Sequence, residues 1–567
     1  MATMKLRASE SSVNLSWGVQ IPMRDGVRLH ATVYRPKDPQ PTPVIFTLTP
    51  YIADSYHPKA VYFARNGYAF VLVDCRGRGN SEGTFESYVN DGRDGHDVVE
   101  WLAVQPWCTG AVAMWGGSYA GLDQWMTLGE FPPHLRTIVP DAAAHAAVDT
   151  PFFNNIFYPY EIQWLTLVSG VTGNDKLFED AAFWREKFLE HYRSHRPFKA
   201  LDQTAGNPSP DFQTWLQHPT PDDYWDQMAL TPAAYDHINV PILSRTGHYD
   251  TDQPGALHYY RAHMQSASPA RDRHYLIIGP WDHAGASEFG GLKFGPASEL
   301  DTNELLKAWY DWTLKDGPRP EFLKQRVAYY VAGAEEWKYA DDLESLSNTS
   351  LRLYLNSANG QANDVFHSGT LDEAPPGAAQ PDRYVYDPLD VRFGELERGE
   401  IDAYLADQRY ALNLFGNGLM YHSAPFAEEV DISGCVKLVA WIAIDVPDTD
   451  FQATLSEIRF DGSHVRLTQD MLRARYRESL RQEKLVIPGQ INCYTFTSFT
   501  FFSRRIAKGS RLRLVISCPN SIYLEKNYNS GGVVAEESGE DARTAHVTLY
   551  HDAEHASHID LPLAKQS

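Results

Sequence analysis

The sequence predicts an α/β fold interrupted by a helical insertion and followed by an all-β module. Three observations lead there. Short apolar runs alternate with helix-forming stretches over residues 17–145 and again over 240–333. The stretch 150–236 between them is rich in aromatics and helix formers and shows no strand alternation. From about residue 350 the chain breaks into brief strand-like runs punctuated by Gly, Pro, Asn and Asp. Strands that are apolar throughout need cover on both faces, which the helices of βαβ units supply.

At 567 residues the chain exceeds what one core sustains, since single cores stop growing at about 250–300 residues. The pattern divides it into an α/β unit of residues 1–145 and 238–348, a helical cap of residues 146–237, and a β-sandwich of jelly-roll type over residues 349–567. Residues 17–36 read as a hairpin about Arg24-Asp25-Gly26, Asp-Gly being the turn signal. Residues 44–48 form a short buried strand that ends at Thr49-Pro50-Tyr51, where proline cannot extend a ladder. A helix is predicted over 58–67, an apolar strand from residue 68, and an amphipathic helix from Asp94 to about Val104. Strands at 111–115 and from Leu135 follow. After the insertion the rhythm resumes with "VPILSRTGHYD", "HYLIIGPWDH", a strong helix from Thr302, and "RVAYYVAG". An insertion between two strands of one sheet sits over the carboxyl edge, where such sheets bind ligands, so residues 146–237 are a candidate cap.

The chemistry centres on Gly116-Gly117-Ser118-Tyr119-Ala120-Gly121, between a strand and a helix-like segment. Strand, tight glycine turn with one serine, then helix is the layout of a nucleophile elbow. The usual pattern has glycine two places after the serine. Here that residue is Ala120, small enough for close packing, and Gly121 comes next. A serine hydroxyl needs a base, and the base needs an acid to fix its tautomer. In this architecture those two follow the serine in the order acid, then histidine, on loops after later strands. Asp250 and His283 sit at such strand ends; Asp282 and Asp252 are the nearest rivals for the acid. An oxyanion needs two donors. One is the Tyr119 amide; the other normally comes from the loop after an early strand, where Tyr51 stands as either a donor or an aromatic wall.

A formal charge of −23 excludes nucleic acid and anionic membrane as main partners, because both repel it. No apolar run approaches the ~20 residues that span a bilayer, and the N-terminus lacks the apolar segment of a secretory signal. Five cysteines without a C-x-x-C spacing fit a reducing cytoplasm better than a disulfide framework. Neither a cofactor nor a metal is expected, and a homo-oligomer is left open.

"TPY", "DCRGRGNSEG", "GGSYAG", "GHYD", "GPWDH", "LRARYRESL", "NSGGVVAEE" and "HASHIDLPL" occur in that order. They resemble the signature segments of the CocE/NonD serine hydrolases, which include cocaine esterase, α-amino acid ester hydrolases and X-Pro dipeptidyl peptidases. The likeness runs from about residue 17 to 563, with the cap unmatched. It implies an α/β-hydrolase domain with a helical cap and a C-terminal jelly roll. It further implies Ser118 as nucleophile, His283 as base, Asp250 as its partner, and the Tyr51 hydroxyl with the Tyr119 amide as oxyanion hole. These relatives carry G-x-S-Y-x-G, so Ala120 fits them. The α-amino ester hydrolases hold an ammonium with carboxylates; here Asp252 and Asp149 occupy two such positions and the cluster is incomplete.

The expected reaction is cleavage of a small-molecule carboxylic ester or amide through an acyl-enzyme. An α-amino acid ester hydrolase, an X-Pro dipeptidyl aminopeptidase and an acyltransferase are alternatives using the same intermediate. A non-catalytic scaffold is the alternative from another class. Two motifs are set aside. Gly77-Arg78-Gly79-Asn80-Ser81-Glu82-Gly83 has its last glycine one place too far for a dinucleotide loop. His551-Asp552-Ala553-Glu554-His555 matches an inverted zincin pattern without the helix that would align its histidines.

Overall fold

A computed structural model describes residues 13–358, 360–398 and 403–564. The first twelve residues and the last three, assigned above to the α/β unit and the sandwich, lie outside the described residues. The hairpin is β1 (Val13–Pro22) and β2 (Arg28–Pro36). Then come β3 (Thr42–Thr49), α1 (His57–Arg65), β4 (Ala69–Asp74), α2 (Asp91–Ala103), β5 (Cys108–Gly117), α3 (Tyr119–Gly129) and β6 (Leu135–Asp141). After the insertion the sheet continues with β9 (Ile242–Tyr249) and β10 (His274–Asp282). It ends with β13 (Val327–Val331) and β14 (Glu336–Ala340). The spatial order is β1-β2-β4-β3-β5-β6-β9-β10-β13-β14. Every pair from β4 through β13 is parallel; the pairs at both margins are antiparallel. The pattern predicts no strand at β14, whose burial is only intermediate and whose alternation is weak.

All six residues of β4 are buried, as the unbroken apolar run requires. Two cores cover the two faces of the sheet, one containing Val98, Leu102 and Trp125, the other Phe63, Leu306 and Trp309. Helix α2 begins three residues before the predicted Asp94, and its first turn holds Gly92, which reads as a helix breaker. Packing explains Gly95: a Cβ there would lie 1.8 Å from Thr127 Oγ1 on α3.

The insertion is mostly short helices, among them α4 (Tyr160–Leu167) and the longer Ala181–Ser194. It also holds a small hairpin, β7 (Phe152–Phe153) with β8 (Ile156–Phe157), too brief to alternate in sequence. A second two-residue pair, β11 (Glu288–Phe289) with β12 (Leu292–Lys293), follows β10. The cap core joins Phe152, Trp164, Trp184 and Trp215 to Tyr88 and Tyr119, so the cap is packed directly on the elbow.

Among the described residues from Ser347 onward, thirteen strands form one hydrogen-bonded network around a single large apolar core, the jelly-roll sandwich. It grips the rest of the molecule through buried polar contacts. Arg473 pairs with Asp450 and Glu525 and donates to the Asn155 carbonyl in the cap at 2.8 Å. Gln253 donates to the Phe501 carbonyl at 2.9 Å and accepts from the Phe501 amide at 2.6 Å. Among the described residues no helix is long and apolar enough to cross a membrane.

Candidate active site

Ser118 links β5 to α3 with φ 60° and ψ −125°, a backbone that a side-chain-bearing residue adopts only where its surroundings force it. Its amide donates to the Asp141 and Ala142 carbonyls at 2.9 and 3.1 Å, and its carbonyl accepts from the Gly121 and Leu122 amides. A Cβ on Gly116 would collide with Ala120 Cβ at 2.7 Å, and one on Gly121 would lie 2.9 Å from Ala143. The shifted glycine is thus the one that helix–strand packing needs, and Ala120 fills the space left by Gly116. Tyr119 opens α3, so its amide has no partner one turn earlier.

Asp250 follows β9 and His283 follows β10. His283 Nδ1 donates to Asp250 Oδ1 at 2.7 Å. Thr246 Oγ1 donates to the other Asp250 oxygen at 2.7 Å, and the Asp252 amide donates to Oδ1 at 3.0 Å. With its side chain 1% exposed, Asp250 is a fixed acceptor. That fixes the histidine tautomer: Nδ1 carries hydrogen and Nε2 is left to take a proton. The rival Asp282 turns its carboxylate to the Ala286 amide at 2.8 Å and only closes a loop.

Asp252 is not the solvated loop residue that an acidic loop position suggests. It precedes the helix Gln253–Gln265 without spending its carboxylate on a cap, and one oxygen lies 3.8 Å from His283 Nδ1. Burial pushes its carboxyl up to about 6; the charge on His283 opposes the rise and that on Asp250 adds to it, with the Ser118 hydroxyl a further hydrogen-bonding neighbour. Burial by itself pulls the proton off His283. The charges of Asp252, then Asp250, then Asp149 outweigh it and raise the imidazole to about 10. Asp149 is buried, and both its oxygens accept backbone amides, from His145 at 2.8 Å and Gly255 at 2.5 Å. It stitches the start of the cap to the helix after Asp252, and burial, then the charge of Asp252, push its carboxyl well above the ordinary range.

Tyr51 stands at the end of β3, and its hydroxyl donates to Ser118 Oγ at 3.4 Å. Burial lifts its pKa well above the ordinary phenol value, so it remains a neutral donor. Several neighbours escape sequence reasoning because they sit in the aromatic insertion with no spacing of their own. Glu161, on α4, is buried; burial and then the charge of Asp252 push its carboxyl up to about 8, and the Thr150 hydroxyl donates to it at 3.3 Å. Trp164, one turn further on α4, donates from Nε1 to the Tyr51 oxygen at 3.1 Å. Within "FYPYEIQWLTLV" the only available signal is that Glu161 and Trp164 are three apart and share a helix face.

Among the described residues two groups bring potential metal donors within 4.8 Å of one another: Asp250, Asp252 and His283, and the buried trio Cys75, Asp91 and Asp123. In the first, His283 Nδ1 and Asp250 already serve each other. In the second, Asp91 accepts from the Tyr119 hydroxyl at 2.7 Å. The two histidines of the zincin-like run part company. His551 reaches Asp382 at 3.0 Å inside the sandwich, while His555 packs on Trp441 and Tyr550. The glycine-rich run after β4 carries Arg78, a fully buried guanidinium that donates to the Pro50, Val168 and Leu167 carbonyls.

A family model described as X-Pro dipeptidyl-peptidase (S15 family) matches residues 25–285. A second, described as X-Pro dipeptidyl-peptidase C-terminal non-catalytic domain, matches residues 322–560. The cocaine esterase of Rhodococcus sp. (strain MB1 Bresler) is 29% identical over 583 residues, taking in 98% of this chain and 100% of the esterase. An aminopeptidase structure from the marine sediment archaeon Thaumarchaeota archaeon has a TM-score of 0.84 at 22% identity, covering 98% of this chain and 97% of that one. The structure of an α-amino acid ester hydrolase has a TM-score of 0.82 at 23% identity over 99% of each chain. Identities that low speak for the fold alone. Sheet, cap and sandwich together define an α/β-hydrolase with a C-terminal β-domain. Within that class, the chain belongs to the CocE/NonD family of serine hydrolases.

Proposed function

We propose that the protein cleaves a small carboxylic ester or amide with Ser118 as nucleophile, His283 as base and Asp250 as the group that holds it. The observation that carries this reading is the 2.7 Å bond from His283 Nδ1 to buried Asp250, which leaves Nε2 to accept a proton. Ser118 Oγ attacks the carbonyl carbon as its proton passes to Nε2, and the carbonyl oxygen becomes negative. The Tyr51 hydroxyl and Tyr119 amide hold that oxygen. The proton then passes to the departing alkoxide or amine, leaving an ester on Ser118. Water, deprotonated in turn by His283, attacks that ester and releases the acid. Tyr51→Phe deletes one oxyanion donor, so kcat falls about 10²–10³-fold; a kcat within threefold of wild type, roughly the scatter of one weak hydrogen bond, would reduce Tyr51 to a wall of the pocket.

The carboxylates favour a second reading, in which the substrate carries an α-ammonium group. Asp252 and Glu161 would receive it, while the oxygens of Asp149 are committed to amides. A cationic substrate also counters the charges that hold the proton on His283. The sign follows: the base works when neutral, a raised pKa delays that form to higher pH, and removing negative charge brings it back down. Asp252→Asn is therefore expected to move the rise of kcat/KM with pH to lower pH for an uncharged ester. Profiles on a p-nitrophenyl ester check it; an unmoved or upward-shifted rise contradicts it. Rates on p-nitrophenyl acyl esters against aminoacyl esters and Xaa-Pro anilides choose between esterase, amino ester hydrolase and dipeptidyl peptidase.

In this reading residues 1–145 and 238–348 supply the catalytic groups, residues 146–237 the acyl pocket, and residues 349–567 the brace behind the Asp250 loop. A cytoplasmic setting is supported by five unpaired cysteines. The charge of −23 disfavours nucleic acid and membrane as partners.

A further inference from the structure

We infer that Trp164 is a positioning residue whose indole N–H aims the Tyr51 hydroxyl at the oxyanion, so the cap completes a site whose other donors belong to the sheet. This deepens the reading of Tyr51 given above and rests on it. A phenol oxygen has one hydrogen and two lone pairs, whereas an indole nitrogen can only donate. With Trp164 Nε1 donating to the Tyr51 oxygen at 3.1 Å, that lone pair is occupied, and the phenol hydrogen points away from the indole. The acceptor in that direction is Ser118 Oγ at 3.4 Å, and during acylation the developing oxyanion beside it. A hydroxyl that accepts one hydrogen bond also donates the next more strongly.

Trp164 is held where this requires. It is 6% exposed, and its ring stacks on Tyr119 at 5.4 Å and 21° and on Trp215 at 6.4 Å and 28°. Tyr119 is fixed from beyond by its bond to Asp91 and by the Tyr88 amide, which donates to its hydroxyl at 2.6 Å. Arg78 locks the two carriers together. Its Nε donates to the carbonyl of Pro50, the residue before Tyr51, at 2.8 Å, and Nη1 donates to Val168, just past the end of α4, at 2.7 Å. One guanidinium thus sets the distance between the loop that bears the phenol and the helix that bears the indole.

The test is a double-mutant cycle on kcat for a p-nitrophenyl ester. Trp164→Phe keeps a stacked ring and deletes the donor. It should lower kcat about tenfold, the size of one hydrogen bond, with little change in KM. In a Tyr51→Phe background the same substitution should change kcat less than about twofold, because the group it acts through is gone. Equal losses in both backgrounds, or a change in KM alone, would overturn the inference while leaving Tyr51 in its role. If Tyr51→Phe itself has no effect, the oxyanion reading fails and this inference with it. Should Trp164→Phe disturb folding, replacing Trp164 with 3-benzothienylalanine removes only the N–H from a ring of the same shape. The same tenfold loss is expected there, and wild-type kcat would overturn the inference.

Discussion

Ser118→Ala lowers kcat/KM for an activated ester by about 10⁵–10⁶-fold, the usual cost of removing the nucleophile from a working triad. The substitution deletes one oxygen, which accepts the long 3.4 Å bond from the Tyr51 hydroxyl, so melting temperature should change little. What remains is the slow attack of water on a substrate held by the oxyanion donors, about 10³–10⁴ above solution. Backbone strain supplies an independent check. At φ 60° serine and alanine pay alike, whereas glycine does not, so Ser118→Gly should be inactive yet more stable than Ser118→Ala by about 1 kcal/mol. Equal stabilities, by thermal or denaturant unfolding, would mean that the elbow is unstrained.

Asp250→Asn should cost about 10³–10⁴-fold in kcat with KM little altered, since the acid acts through His283 and not on the substrate. Asparagine cannot accept on both sides. Thr246 donates to one oxygen of the native carboxylate, His283 and the Asp252 amide to the other, so an amide placed there turns its NH2 either to Thr246 or to His283 and the Asp252 amide together. If it faces His283, the imidazole flips to the tautomer with hydrogen on Nε2, which cannot take the serine's proton. The lower end of the range is favoured because Asp252 lies 3.8 Å from the same nitrogen and still draws its proton. Steady-state kinetics of the single variant and of Asp250→Asn/Asp252→Asn separate the two contributions: the double variant should fall further. A double variant no worse than the single would mean that Asp252 does not back up the acid.

The α/β order was legible because each buried strand is an unbroken apolar run and the crossing helices keep a helical period. The residues of the candidate triad were legible for a related reason: each follows a strand at one edge, a place the alternation itself marks. Elements whose form depends on distant partners were not. β14 is a half-exposed margin strand, the first turn of α2 hides behind glycines required by contact with α3, and β7–β8 is held by the sandwich through Asn154 and Asn155. Trp164 and Glu161 stand in an aromatic insertion whose residues could equally be core, so only the fold reveals that Trp164 bonds to Tyr51 and that Glu161 feels the charge of Asp252. The spacing of the glycine-rich run around Arg78 was enough to set aside a dinucleotide loop, but only the fold shows its buried guanidinium among the Pro50, Val168 and Leu167 carbonyls.

The most direct measurement is labelling of the folded protein with a fluorophosphonate, followed by mass spectrometry of the modified peptide. One stoichiometric adduct is expected on Ser118, formed faster as pH rises and His283 loses its proton, and none on Ser118→Ala. An adduct on another residue, or a folded protein that does not react, would contradict Ser118 as the nucleophile.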